Sequence, residues 1–208
     1  MLIVALTGGI ACGKSVIGGI LRAKGCYIDS ADEAAHELMS PGSELWKSVV
    51  DHFGQSILRP DGTIDRPRLG ATVFSDASER AFLNALVHPR IMRRIEELIT
   101  EVMRGDRHRI FVSEAALVFE SGFAQRFDKV VVADCPEETQ IARLMARDGI
   151  EKDEALKKIR AQMHRDEKAG RADYVIDTSG TLAETIDQTE RVFAMLVRDE
   201  ELKARRRR

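Results

Sequence analysis

Short apolar runs separated by longer amphipathic stretches organise this chain. Residues 1–6 (MLIVAL) are almost continuous hydrocarbon and read as a strand buried on both faces. Four more short runs follow: residues 25–28, 109–113 and 129–133, then Tyr174–Asp177. Between them the apolar residues recur at helical spacing. Val16, Ile17, Ile20 and Leu21 mark a helix directly after the first strand, and Glu44–Phe53 reads as another. Leu83, Leu86, Val87, Ile91, Ile95, Leu98, Ile99 and Val102 share one face of a long helix that Pro89 should bend or interrupt. Strands alternating with helices predict an α/β fold: a five-stranded parallel sheet with helices on both faces.

Two stretches exceed what a crossover helix needs. The segment between the second and third strands carries turn chemistry at Pro60-Asp61-Gly62-Thr63-Ile64-Asp65 and suits an inserted helical acceptor-binding lobe, about residues 32–105. Residues 148–168 are dense in Lys, Arg, Asp and Glu with few apolar anchors, which suits a mobile lid. The expected organisation is one domain over residues 1–208 with these two insertions.

Composition narrows the partners. The chain has 208 residues, 44% of them hydrophobic and 32% charged, and a formal net charge of −2. That balance argues against a broad nucleic-acid surface, and the tail Arg205-Arg206-Arg207-Arg208 reads as a solvated terminus. Three scattered cysteines form neither a disulfide framework nor a zinc pair, which points to a reducing compartment. Cys12 sits where positive potential should lower its pKa. No apolar run reaches membrane-spanning length, and the first strand starts at Met1, so a cytosolic protein without membrane partners is expected; the oligomeric state stays open between a monomer and a small homo-oligomer.

The chemistry starts at Gly8-Gly9-Ile10-Ala11-Cys12-Gly13-Lys14-Ser15, which fits the phosphate-binding pattern G-x-x-x-x-G-K-[ST] between a strand and a helix. Glycines let the backbone wrap phosphate oxygens, and the amides and positive helix end face the anion. Lys14 supplies a point charge for the β- and γ-phosphates, and the Ser15 hydroxyl can hold Mg²⁺. The chain is therefore expected to bind a nucleoside triphosphate, through Gly8, Gly9, Ala11, Cys12, Gly13, Lys14, Ser15 and Val16.

Residues along most of the chain resemble dephospho-CoA kinases. The likeness opens with Thr7-Gly8-Gly9-Ile10, Gly13-Lys14-Ser15 and Ala31-Asp32, then runs through Ile64-Asp65-Arg66, Val73-Phe74 and His88-Pro89. It resumes at Phe119-Glu120-Ser121-Gly122, Arg143-Leu144-Met145, Arg147-Asp148 and Val175-Ile176-Asp177. It departs from the family pattern at Ser30 (usually Asp), Val16 (commonly Thr), Ala116 (usually Pro) and Thr178 (frequently Asn). The resemblance implies transfer of the ATP γ-phosphoryl to the 3′-hydroxyl of dephospho-CoA, with Mg²⁺ as cofactor. A related small-molecule or nucleoside monophosphate kinase is the alternative. A guanine-reading switch is disfavoured because no Asn-Lys-x-Asp motif is present.

The resemblance also suggests roles. Asp32, past the carboxyl end of the second strand, would orient the ribose hydroxyl and take its proton; from position alone it could equally cap the next helix. Arg143 is assigned to ATP and Arg147 to the transferring phosphate, although ion pairs such as Arg143 with Asp148 or Glu138 are the plainer reading of two arginines on one helix face. Arg66, Phe74 and His88 are placed on the acceptor side. Glu114 is either a metal-water ligand or a structural carboxylate, Gln162 is a candidate nucleotide contact, and Arg160, Arg165 and Lys168 read as ordinary lid charges.

Overall fold

The computed structural model describes residues 1–105 and 108–206, with the Phe74 side chain excluded. Five strands, β1 (Leu2–Gly8), β2 (Tyr27–Ser30), β3 (Ile110–Glu114), β4 (Lys129–Asp134) and β5 (Tyr174–Asp177), form one sheet in the order β2-β3-β1-β4-β5. Every pairing is parallel. The helices are α1 (Lys14–Ala23), α2 (Ala31–Leu38), α3 (Glu44–Phe53), α4 (Arg66–Ser75), α5 (Ala77–Arg104), α6 (Glu137–Asp148), α7 (Lys152–Arg160), α8 (Arg165–Gly170) and α9 (Leu182–Arg206). The chain divides into two compact units, one of residues 1–30 and 99–208 and the other of residues 31–98.

In the sheet-bearing unit, alternation along β1 sends its side chains to two separate cores. Leu2, Val4 and Leu6 join Ile17 and Leu21 of α1 and Val192 and Leu196 of α9. Ala5 joins Val118, Phe119, Val130 and Val132, with Met163 and Ala172 packed against them. Both faces of β1 are thus dry, which explains its unbroken apolar run. Strand order reverses beside β1: the chain leaves it toward β2 and later crosses back to β4, the position where open parallel sheets bind ligands at their carboxyl ends. Register aligns those ends, pairing Leu6 and Ser30 with Glu114, Gly8 with Ala133, and Asp134 with Asp177.

The second unit has its own core of Leu45, Val49, Ile57, Ile64, Leu69, Val73 and Val87. Ser43 caps α3 by accepting from the Trp46 amide at 3.0 Å, and Asp65 caps α4 by accepting from the Arg68 amide at 3.2 Å. A bridge between Leu58 and Ile64 closes the loop that carries Pro60-Asp61-Gly62, and the Trp46 indole donates to the Gly62 carbonyl at 3.0 Å.

Two expectations need correction. Of the bend or interruption expected at Pro89, the interruption does not occur: helix α5 continues through it. Proline removes the amide donor that the Ala85 carbonyl one turn back would use, and beside that position the Arg90 guanidinium donates to the Leu86 carbonyl at 2.8 Å. The second strand begins at Tyr27 rather than residue 25, because residues 24–26 close α1: the amides of Lys24, Gly25 and Cys26 donate back to carbonyls of Ile20, Arg22 and Leu21, with Gly25 at φ 93°.

Candidate active site

The phosphate loop is set by backbone geometry. Gly8 (φ 149°), Ala11 (φ 60°) and Gly13 (φ 77°) all take positive φ. At Gly8 glycine is obligatory: a Cβ would stand 2.3 Å from the Ala133 carbonyl oxygen of the neighbouring strand. Ala11 accepts the left-handed conformation that glycine would take more readily. Lys14 opens α1 and arches back, its ammonium donating to the carbonyls of Gly8 at 3.3 Å and Gly9 at 3.2 Å. The charge therefore lies over the loop. Ser15 donates its hydroxyl proton to Glu114 Oε1 at 3.0 Å, which joins the helix start to the carboxyl end of β3. Val16 is exposed and presents no polar group.

Behind the loop, three side chains distant in sequence hold it in place. The Thr178 hydroxyl reaches the Cys12 carbonyl at 3.0 Å and the Asp134 carbonyl at 3.2 Å, either of which can accept its proton. Arg143 of α6 donates to the Thr178 hydroxyl at 3.2 Å and to its carbonyl at 2.6 Å. Gln140, one turn earlier, donates its amide to Cys12 Sγ at 2.9 Å. Arg143 thus reaches the loop through Thr178, rather than through the ion pairs with Asp148 or Glu138. Arg147 points elsewhere and pairs with its neighbour Asp148 through Nε at 2.7 Å, which raises the guanidinium pKa and lowers that of the carboxyl.

The segment expected to be a lid is more anchored than its composition implied. Gln162 Oε1 accepts from the Ile10 amide of the loop at 2.7 Å. Arg165 grips Asp134 with both ends of its guanidinium, through Nε at 3.0 Å and through its terminal nitrogen. Lys168 is no ordinary lid charge: its side chain is 1% exposed, with the ammonium 2.8 Å from Glu120 and 3.0 Å from the Ala116 carbonyl. Thr178, Gln140 and Lys168 are the residues that sequence reasoning missed. Thr178 was visible only as a departure from the family pattern, and neither the role of Gln140 nor the burial of Lys168 had a signal in the pattern of the chain.

In the other unit, Asp32 is exposed in the first turn of α2, which follows β2 directly. It faces Arg66 and His36: the half-buried Arg66 is lowered by burial and by Arg59, against the attraction of Asp32. His36 is held below its ordinary value by burial and by Arg66, against Asp32 and Glu33. His88 is half-buried in α5 and also lowered, by burial. The Phe74 side chain, expected on the acceptor side, lies outside the described residues.

A parallel sheet that offers a phosphate loop, an overlying lysine and a paired serine at its switch point defines the P-loop class of nucleoside-triphosphate-binding proteins. A shikimate kinase from Acinetobacter baumannii shares this fold with a TM-score of 0.54 at 16% identity, over 96% of this chain and 94% of that one. The particular family follows from sequence. The dephospho-CoA kinase family model matches residues 2–184, and a dephospho-CoA kinase from Geobacter sulfurreducens is 43% identical over 93% of this chain and 98% of its own. A dephospho-CoA kinase from Campylobacter jejuni superposes with a TM-score of 0.65 at 28% identity, covering 92% of this chain and 95% of that one. The chain belongs to the dephospho-CoA kinase family and is an ATP-dependent phosphotransferase.

Proposed function

We propose that this enzyme transfers the γ-phosphoryl of ATP to the 3′-hydroxyl of dephospho-CoA with the residues described above. The observation that carries the reading is the loop, where three positive-φ residues shape a cradle under the Lys14 ammonium. Phosphoryl transfer asks the protein for alignment and charge neutralisation more than for covalent chemistry. Gly8, Gly9, Ala11, Cys12 and Gly13 wrap the phosphates, and Lys14 neutralises their charge. Arg143 holds the nucleotide side of the loop through Thr178. Arg147 exchanges Asp148 for the transferring phosphate. Asp32 orients the acceptor hydroxyl and receives its proton, while Arg66, with Arg59 beside it, meets the negative diphosphate of the acceptor. Phe74 and His88 belong to the acceptor lobe of residues 32–105, and residues 148–168 close over the nucleotide.

The Ser15 hydroxyl and the Glu114 carboxylate are hard oxygen donors 3.0 Å apart, a set that fits Mg²⁺. Ser15 would bind it directly and Glu114 through water, and the ion would offset phosphate charge. No described helix is long and apolar enough to cross a membrane. The near-neutral charge balance favours small-molecule over nucleic-acid partners, and we place this chemistry in the cytoplasm.

The test is incubation with ATP, Mg²⁺ and dephospho-CoA, following CoA by mass spectrometry beside AMP and shikimate as acceptors. CoA formation with little turnover of the controls is expected. Asp32→Asn should lower kcat by about 10²–10⁴-fold with ATP affinity unchanged. Preferred turnover of shikimate or AMP would overturn the acceptor assignment.

A further inference from the structure

Two thiols face one another beneath the phosphate loop. Cys12 lies within the loop and Cys135 directly follows β4; their sulfurs are 3.5 Å apart, and the residues are 1% and 0% exposed. Both are free thiols. We propose that Cys12 and Cys135 form a reversible oxidation site, a dithiol that peroxide converts to a disulfide and so disables the phosphate loop.

The environment assigns the two sulfurs different tasks. The hydrogen bond from Cys135 brings the Cys12 thiol down to about 7, helped by the Lys14 charge and the Gln140 amide and opposed by burial and by Asp134. Cys135, which keeps the shared proton, is pushed up by that same bond and by burial. Near neutral pH Cys12 supplies the thiolate and Cys135 the resolving thiol. Cys26 is a built-in contrast, since burial alone pushes it up to about 12.

The chemistry balances with hydrogen peroxide as the oxidant. The Cys12 thiolate attacks one peroxide oxygen; the O–O bond breaks, hydroxide leaves, and Cys12 becomes a sulfenic acid. The Cys135 sulfur then attacks the Cys12 sulfur. The S–S bond forms, the S–O bond breaks, and hydroxide departs with the Cys135 proton as water. Overall, the dithiol and one peroxide give a disulfide and two waters. A small-molecule dithiol reverses the change by exchange. Access runs through the cleft lined by Gly9, Gln140, Gln162 and Arg165, with Cys12 behind the first two.

Bonding the sulfurs draws them together by about 1.5 Å. Cys12 cannot follow without disturbing the loop. Its amide donates to the Gly9 carbonyl at 3.2 Å, its carbonyl accepts from Thr178 at 3.0 Å, and a Cβ at Gly9 would lie only 3.1 Å from its sulfur. The backbone that cradles phosphate therefore shifts with the sulfur.

The test treats the full-length enzyme with hydrogen peroxide and reads intact mass, a peptide map and ATP binding by calorimetry. The expected result is loss of two hydrogens, a Cys12–Cys135 cross-linked peptide, at least tenfold weaker ATP binding, and recovery with dithiothreitol. Cys135→Ser should bind ATP normally, form no cross-link and accumulate a dimedone-trappable sulfenic acid at Cys12. Cys26→Ser should respond like the wild type. Absence of the cross-link overturns the proposal, as does a cross-linked enzyme that binds ATP unchanged. The binding arm rests on the loop's reading as a nucleotide site, whereas the mass arm does not. Failure of that reading would appear as no ATP binding even in the reduced enzyme.

Discussion

Replacing Lys168 with methionine removes an ammonium from a site that water hardly reaches. The side chain is 1% exposed, and its charge is answered by Glu120 at 2.8 Å and the Ala116 carbonyl at 3.0 Å. Methionine fills most of the same volume, so the cost comes from the partners left behind. Among the described residues, Glu120 then keeps the Met163 amide at 3.0 Å, and the Ala116 carbonyl keeps the weaker contact from the Thr7 hydroxyl at 3.3 Å. Removing one member of a buried pair costs about 3–5 kcal/mol when the survivor is dry. The Glu120 side chain is 20% exposed, so water recovers part of that, which leaves about 2–4 kcal/mol. For a chain of this size the melting temperature should fall by about 5–15 °C. Urea and thermal unfolding of Lys168→Met, with and without Glu120→Gln, read this directly. The double variant should regain at least about 1 kcal/mol, because it no longer leaves a carboxylate without its cation. A single variant within about 0.5 kcal/mol of wild type would refute the reasoning and return Lys168 to the solvated lid.

Other substitutions test separate parts of the molecule. Gly8→Ala puts a methyl 2.3 Å from a backbone oxygen, so a loss of about 3 kcal/mol or more, or no soluble protein, is expected in denaturation assays. Ser15→Ala should raise the Mg²⁺ concentration needed for half-maximal rate on the order of tenfold, while stability without metal falls by no more than about 1 kcal/mol for the lost bond to Glu114. Burial lowers the His88 pKa, so the folded state binds fewer protons there than the unfolded chain. The stability His88 confers is complete above about pH 6.5 and is lost as pH falls below that toward the depressed folded value. His88→Gln should flatten the stability profile below about pH 6.5, and an unchanged slope there would show that other groups set it.

What could be read from the chain was local. The unbroken apolar run of β1 and the glycine-lysine-serine signature adjoin in sequence, so their pattern and their purpose coincide. Helix α3 was legible to the residue because Ser43 caps it and Gly54 ends it. The elements that escaped depend on partners far along the chain. Thr178 reaches Cys12 across 166 positions, and Lys168 is buried by a turn some fifty residues earlier. A lysine among charged neighbours looks solvated until the fold supplies Glu120. The continuity of α5 through Pro89 was not legible either, because periodicity alone does not show whether a helix ends at a proline or carries it.

The bond from Gln162 to the Ile10 amide changes how nucleotide affinity should be understood. A phosphate oxygen that takes this amide must take it from another oxygen, so the number of hydrogen bonds at that position does not rise. The exchange replaces a neutral acceptor with a charged one, and the advantage is electrostatic rather than a gain in contacts. If the loop binds phosphate as proposed, it would thereby sort ligands by charge: a poorly charged molecule would meet an occupied amide, whereas a polyphosphate would displace the glutamine.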